Sequence, residues 1–293
     1  MRVTQSMLSN NTMRNLMTGY TNMAKLQEQV SSGKRIKRPS DDPEAAAKSI
    51  GFRNQVDNIE QYKKNLIEVN NWLDSSDEAL DGVGQVLHRA KELVTNAANT
   101  GAMNPEEREF IKIELRQLQE RVQDLANTKV MDKYIFSGTN TNKPLSPLFD
   151  TAKGVLLPDP GFSKDVEIEV FNGVNLKVNT NAMELFKGID DFFNGITEAG
   201  DEVKFNEAMK DLDSQMNKVL EQRIEIGGRM NRSELMQNRL DLQEQTAKKL
   251  QSENEDIDFE KVITEMLTQE AVYRASLSVG ARVIQPSLVD FLR

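Results

Sequence analysis

Cysteine is absent from this 293-residue chain, which excludes disulfides, thiol nucleophiles and cysteine-ligated metals. Histidine occurs once, as His88, which removes the common catalytic triads and the HExxH metal site. That histidine adjoins Leu87 on the strongest helical stripe and reads as a helix-surface or interface side chain. Neither a Walker loop nor a GxGxxG turn occurs. No catalytic residue, metal or cofactor is therefore expected, and the chain reads as a structural subunit rather than an enzyme. No apolar run approaches membrane-spanning length. Met1-Arg2-Val3-Thr4-Gln5-Ser6 offers no apolar core of a secretory signal, so export would have to use another signal. Aromatic residues make up 6% of the chain and hydrophobic residues 38%, little for a compact globule of this length. Long helices with narrow apolar stripes need fewer core residues, so an elongated helical fold is expected. A basic excess is also missing. The net charge of −9 disfavours nonspecific binding to nucleic acid or insertion at an anionic membrane.

What the chain has is heptad spacing. Ile59, Tyr62, Leu66, Val69, Leu73, Ser76, Leu80, Val83, Leu87, Ala90, Val94 and Ala97 follow one another in alternating steps of three and four. Such a run predicts a long coiled-coil helix. Asp42 is its predicted N-cap, Pro43 its first residue, and Glu44 suits the positive end of the helix dipole. A second helix is predicted to open at Asn104-Pro105, with a stripe of Ile111, Leu115, Leu118, Val122 and Leu125. A third stripe runs through Phe205, Met209, Leu212, Met216, Val219, Ile226 and Met230, interrupted by Arg223, with Gly227-Gly228 lowering helix propensity there. These segments suit an antiparallel bundle with a long connection. Trp72, beside Leu73, reads as core packing.

Both chain ends carry further stripes: Met13, Leu16, Tyr20, Met23 and Val30 at one, Phe259, Ile263, Met266, Tyr273, Leu277, Gly280 and Ile284 at the other. Ser31 to Arg35 breaks the first from the rest, and the acidic stretch Gln251 to Asp258 precedes the second. Lone helices of this length are marginal in water, so the two are expected to pair with each other. Between Gly138 and Asn181 the helical period disappears. Val166, Ile168 and Val170 alternate with glutamates, Asn172-Gly173 follows, and Val174, Leu176 and Val178 alternate again, which predicts a tight hairpin. The carboxylate pair Asp41-Asp42 reads as capping, and Asp190-Asp191 as a solvated helix face. The basic run Lys34-Arg35-Ile36-Lys37-Arg38 reads as a partner contact within an acidic whole. The fold class is thus mainly α, a long antiparallel helical bundle or coiled coil with a small β-containing insertion. The expected domains are an N-terminal assembly segment over 1–41, a central helical bundle over 42–137 and 182–252, a β-rich insertion over 138–181, and a C-terminal assembly helix over 253–293.

The segment Val30 to Pro43 ends in Ser40-Asp41-Asp42-Pro43 after a glycine turn and a basic run. It resembles the N-terminal signature of the flagellin family, with Pro39 where flagellins usually carry a small residue. The stretch from Asp258 through Ala281 and Ile284 to Leu292 is similar to that family's C-terminal helix. Tyr134-Ile135-Phe136-Ser137-Gly138-Thr139-Asn140-Thr141 looks like the motif ending the second core helix in the family's hook-associated members. Ile226-Gly227-Gly228-Arg229-Met230-Asn231 looks like their late-helix motif. The resemblance implies a structural subunit of the bacterial flagellum at the junction between hook and filament. Its implied partners are the first hook-associated protein, flagellin, copies of itself in a ring, and the flagellar export chaperone and export apparatus. The implied location is extracellular. It also implies terminal helices that order on assembly, with Leu16, Met23, Phe259, Met266, Leu277, Ile284, Leu288 and Leu292 as the expected axial contacts. A filament flagellin, or a secreted coiled-coil adhesin or translocator, are the alternatives.

Overall fold

A computed structural model of the chain describes residues 5–98, 105–145, 160–197 and 205–284. Its elements, in order, are α1 (Gln5–Ser32), α2 (Pro43–Ala98), α3 (Pro105–Ala126), β1 (Lys129–Val130), β2 (Lys133–Tyr134), a short 3-10 turn (Pro160–Ser163), β3 (Glu167–Phe171), β4 (Val174–Lys177), α4 (Met183–Thr197), α5 (Phe205–Glu255) and α6 (Phe259–Ile284). Two compact units result: Met1–Asn58 with Glu244–Arg293, and Ile59–Gln243. Both α2 and α5 contribute residues to each unit.

Within the unit Ile59–Gln243, the seam of α2 is the one its spacing predicts. All twelve stripe positions except half-buried Tyr62 are buried, and Leu66, Leu73, Leu80 and Leu87 are fully so. Each such leucine stabilises the fold by about 1.5–3 kcal/mol relative to exposure. Polar Ser76 is tolerated in the seam because its hydroxyl donates to the Trp72 carbonyl at 2.7 Å. Helix α5 answers with a seven-residue repeat of its own: Leu212, Val219, Ile226, Ser233 and Leu240 are all buried. Polar rungs fix the antiparallel register, since the α2 number rises as the α5 number falls. Lys63 pairs with Asp241 at 2.5 Å. Ser233 donates to Asn70 at 2.6 Å. Arg223 reaches Asp77 at 2.8 Å and Asp81 at 2.6 Å, and Lys91 reaches Asp213 at 2.7 Å. Arg223 therefore does not break the α5 stripe; it clamps α5 to α2.

Two expectations are corrected in this unit and a third is refined. Helix α3 ends at Ala126, short of the Tyr134–Thr141 motif expected to close it. The chain then turns through the β1–β2 hairpin, whose corner residues Met131 and Asp132 have φ of 48° and 64°. The Tyr134–Thr141 motif thus begins on the last residue of the hairpin rather than closing a helix. Its glycine has a plain purpose: at Gly138, φ is +58°, and a Cβ would lie 2.5 Å from the Gly161 carbonyl oxygen. Ile135 and Phe136 beside it are fully buried, with Phe136 edge-on to Phe186 of α4 at 5.1 Å. Second, Asp190 is buried, not solvated. Its carboxylate accepts from Gln119 at 2.7 Å, Gln123 at 3.0 Å and Asn194 at 3.0 Å, so three side-chain amides replace its water. Asp191 stays exposed. Third, the predicted hairpin forms as β3–β4 around Asn172–Gly173, but with a bulge between Glu169 and Phe171. Gly173 alone takes positive φ, +71°. A turn with both corner residues in the left-handed region is what an unbulged two-residue hairpin favours, and the bulge supplies twist in its place.

Candidate assembly site on the paired terminal helices

In the unit formed by the two chain ends, α1 and α6 pack antiparallel. Gly280 faces Thr12 and Leu16, Gly19 faces Tyr273, and Gly33 faces Phe259. The rings of Tyr20 and Tyr273 lie 6.3 Å apart. Shielded positions on α1 recur as Ser9, Thr12, Leu16, Gly19, Met23, Leu26 and Val30. On α6 they are Val262, Met266, Gln269, Tyr273, Ser276 and Gly280. Both series alternate in threes and fours, the signature of a two-stranded coiled coil. The seam carries serine, threonine and glycine where large apolar residues are usual, and most of its members are only half-buried.

This arrangement sorts the predicted contact residues. Leu16, Met23 and Met266 belong to the intrachain seam and are half-buried. Phe259 and Leu277 are exposed, at 50% and 44%. Ile284 is the last residue of α6. Leu288 and Leu292 lie outside the described residues. Met13 and Tyr20, assigned by spacing to the same face as Leu16, instead stand beside the seam and are exposed.

The two grooves of the pair differ in chemistry. One is lined mainly by polar side chains, Asn22, Lys25, Gln29, Thr264, Glu265 and Gln269, with Leu26 among them. The other is lined by Met13, Leu16, Met17, Tyr20, Leu277 and Ala281. Around that apolar groove Met13, Met17, Tyr20 and Leu277 expose 44–68% of their surfaces. The methionines and tyrosines there can adapt to a facing helix. Covering such a side chain removes apolar surface from water at roughly 25 cal/mol per Å².

A polar clasp holds the junctions of these helices. Helix α1 ends at Ser32, and Lys34 then forms an antiparallel β-bridge with Asp256. Arg35 N–H donates to the Glu255 carbonyl at 2.6 Å and Ile257 N–H to the Gly33 carbonyl at 3.2 Å. The Glu255 side chain is 1% exposed. It is held by Arg53 through two bonds of 2.9 and 2.7 Å and by Lys34 at 3.3 Å. Burial pushes its carboxyl upward, but the hydrogen bonds from Arg53 and Lys34 outweigh this and hold it below the usual range. Lys34 also pairs with Asp256 at 2.6 Å. Asn254 donates to the Ala45 carbonyl at 2.9 Å and to Ser49 at 2.8 Å. The basic run therefore serves contacts inside the chain: Lys34 and Arg35 close the clasp, buried Ile36 anchors it, and Lys37 pairs with Glu28 at 2.7 Å.

The Ser40-Asp41-Asp42-Pro43 motif acts beside this clasp. Asp41 accepts from the backbone N–H groups of Arg38 at 3.0 Å and Lys37 at 3.3 Å, closing the turn before the helix. Asp42 caps α2 by accepting from Ala45 N–H at 3.1 Å, and Pro43 is the first helical residue. Sequence reasoning missed Arg53 and Glu255. Glu255 sat in an acidic stretch taken as a break, whereas α5 continues through it to the bridge at Asp256. His88 projects from α2 as an exposed side chain.

Comparison with known proteins places these features. The family model of the bacterial flagellin N-terminal helical region matches residues 3–141. Flagellin of Bacillus subtilis (strain 168) is 24% identical, across 97% of this chain and 97% of its own length. The flagellar hook-associated protein 3 of Salmonella typhimurium is 22% identical, across 94% of this chain and 95% of its own. Among solved structures, FlgL of Bacillus cereus aligns with a TM-score of 0.58 at 26% identity, covering 69% of this chain and 99% of that one.

Proposed function

From the premise that this chain belongs to the flagellin family of bacterial flagellar structural proteins, we propose that it is the subunit joining hook to filament. In this reading one face of a ring of copies meets the first hook-associated protein and the other meets flagellin. The chain reaches that site through the flagellar export apparatus with its chaperone, and performs no catalysis. The likeness to FlgL of Bacillus cereus and to hook-associated protein 3 supports the junction over other flagellar positions. The observation that carries an assembly role is the terminal pair itself, with its half-buried seam and apolar groove. A helix pair so incompletely covered gains most of its order when neighbours cover it, which couples folding of the ends to polymerisation. Heterologous stacking of this kind continues until a different surface stops it.

The similarity to Bacillus subtilis flagellin across nearly the whole chain favours one competing reading, a filament subunit. A filament subunit grows long polymers from the pure protein, while a junction subunit needs its neighbours. The deciding experiment adds purified chain to hooks that already bear the first hook-associated protein, then adds flagellin. Filaments should grow only when this chain is present, and the chain alone should not polymerise. Removing Ser287 to Arg293 should leave the unfolding of the Ile59–Gln243 unit unchanged and abolish filament attachment. Normal attachment after that truncation would sink the proposal.

A further inference from the structure

The chain contains two Asn–Gly steps, Asn172–Gly173 and Asn194–Gly195. An asparagine before glycine loses its side-chain amide most readily, because no Cβ on the next residue obstructs ring closure. The glycine nitrogen, once it gives up its proton, attacks the asparagine Cγ. The new N–Cγ bond makes a five-membered succinimide, and the Cγ–Nδ2 bond breaks as ammonia leaves with the proton. Water then opens the ring at either carbonyl, giving aspartate or isoaspartate. Net, one water enters and one ammonia departs, with no oxidant and no cofactor.

The fold treats the two steps oppositely. Asn194 lies inside α4, where its Nδ2 donates to Asp190 at 3.0 Å and its Oδ1 accepts from Gln119 at 2.8 Å. Gly195 is also helical, so its N–H is directed along the helix axis, away from the side chain before it. Ring closure there would disrupt both the helix and the amide shell of buried Asp190. Asn172 and Gly173 form the exposed corner between β3 and β4. Nothing lies within 4 Å of where a Gly173 Cβ would sit, and its φ of +71° favours glycine. One contact opposes the reaction at this open corner. The Gly173 N–H donates to Glu169 Oε1 at 3.1 Å. The nitrogen must become negative to attack, and a carboxylate beside it disfavours that charge.

We propose that Asn172 is a site of spontaneous deamidation in this chain, and that Glu169 is a positioning residue that slows it. The product places a new negative charge beside Glu169. Its isoaspartyl form adds a methylene to the backbone of the two-residue turn. This inference does not depend on the flagellar assignment.

The test incubates the whole protein at mildly alkaline pH and locates amide-to-acid conversion and isoaspartate by peptide mass analysis. Asn172 should convert before Asn194. The Glu169→Gln variant should convert at Asn172 roughly fivefold faster, the scale of one unit charge a few ångström away in water. Amide exchange across β3 and β4 should be unchanged in that variant. Conversion at Asn194 first would overturn the site. So would an unreactive Asn172 in both proteins while a free peptide of residues 171–174 reacts. An equal or slower rate in the variant would overturn the role of Glu169. So would a faster rate accompanied by faster exchange throughout the hairpin, since loosening alone would then account for it.

Discussion

The α2–α5 pair of the Ile59–Gln243 unit and the α1–α6 pair of the terminal unit share a heptad rule and differ in what occupies it. The first seam is built of fully buried leucine, valine and isoleucine with satisfied polar rungs. The second mixes methionine, leucine, valine and tyrosine with serine, threonine, glycine and glutamine, and most of its members remain half-exposed. Other large apolar side chains of the ends, Met13, Met17, Tyr20 and Leu277, stand outside the seam. The difference teaches that periodicity specifies a pairing geometry, while residue size decides whether that pairing is self-sufficient. Small seam residues let two helices approach closely but bury little area. The remaining apolar area is left for a neighbour.

The comparison breaks first at its strongest point. Leu73→Ala should lower stability by about 2–5 kcal/mol, the cost of a buried cavity, as a shift in the denaturant midpoint. Leu16→Ala, in the half-buried seam, should cost less than half as much in the same measurement. Equal costs would erase the distinction between the two pairs.

Next comes the clasp. Glu255→Ala should destabilise the terminal unit by about 1–3 kcal/mol, toward the lower end because Lys34 and Arg53 keep access to water. Faster amide exchange in α1 and α6, with α2 residues beyond Asn58 unchanged, is the expected readout. The same clasp has a defined acid limit. Glu255 is held below its ordinary value by Arg53 and Lys34 against the burial that raises it, and Asp256 by hydrogen bonds from Lys34 and then Ser252. With folded values depressed, the unfolded chain takes up protons first as pH falls. The clasp's contribution is therefore complete above the ordinary carboxylate range, about 4, and is lost as pH drops through the lower folded values. Exchange protection of the terminal helices should fall over that acid window in the native chain and stay flatter in Glu255→Ala.

The smallest effect is a gain. Nothing occupies the space where a Cβ would stand at Gly227 or Gly228 within α5. Replacing either by alanine should raise stability by about 0.4–1 kcal/mol, mainly by restricting the unfolded chain. Thermal unfolding checks this. A loss instead would mean that α5 needs flexibility at that point.

Much of the fold was legible in the sequence because its signals are local and repeated. The α2 stripe, the Asp42–Pro43 start and the Asn172–Gly173 hairpin each follow from spacing and from the backbone preferences of a few neighbouring residues. The errors at charged residues share one cause. Asp190 next to Asp191 looks solvated until Gln119 and Gln123, remote in sequence, supply amides to bury it. Arg223 looks like an interruption until Asp77 and Asp81 face it. Glu255 looks like part of a break until Lys34 and Arg53 converge on it. A charge in a sequence carries no record of its partner, so whether it is buried or free depends on which remote side chains the fold brings within about 3 Å, the range of a hydrogen bond.

For the candidate site the division is similar. The sequence by itself determined that both ends carry helical apolar stripes and that the helices opening at Asp42 and Pro105 are long and amphipathic. Only the tertiary structure decided which stripe residues close the α1–α6 seam and which are left over. A stripe wider than a coiled-coil seam can rotate about its axis, and Gly280 sits where that rotation brings the helices close, a Cβ there standing 3.1 Å from Thr12 Cγ2. That choice turned Met13, Met17, Tyr20 and Leu277 outward into a groove.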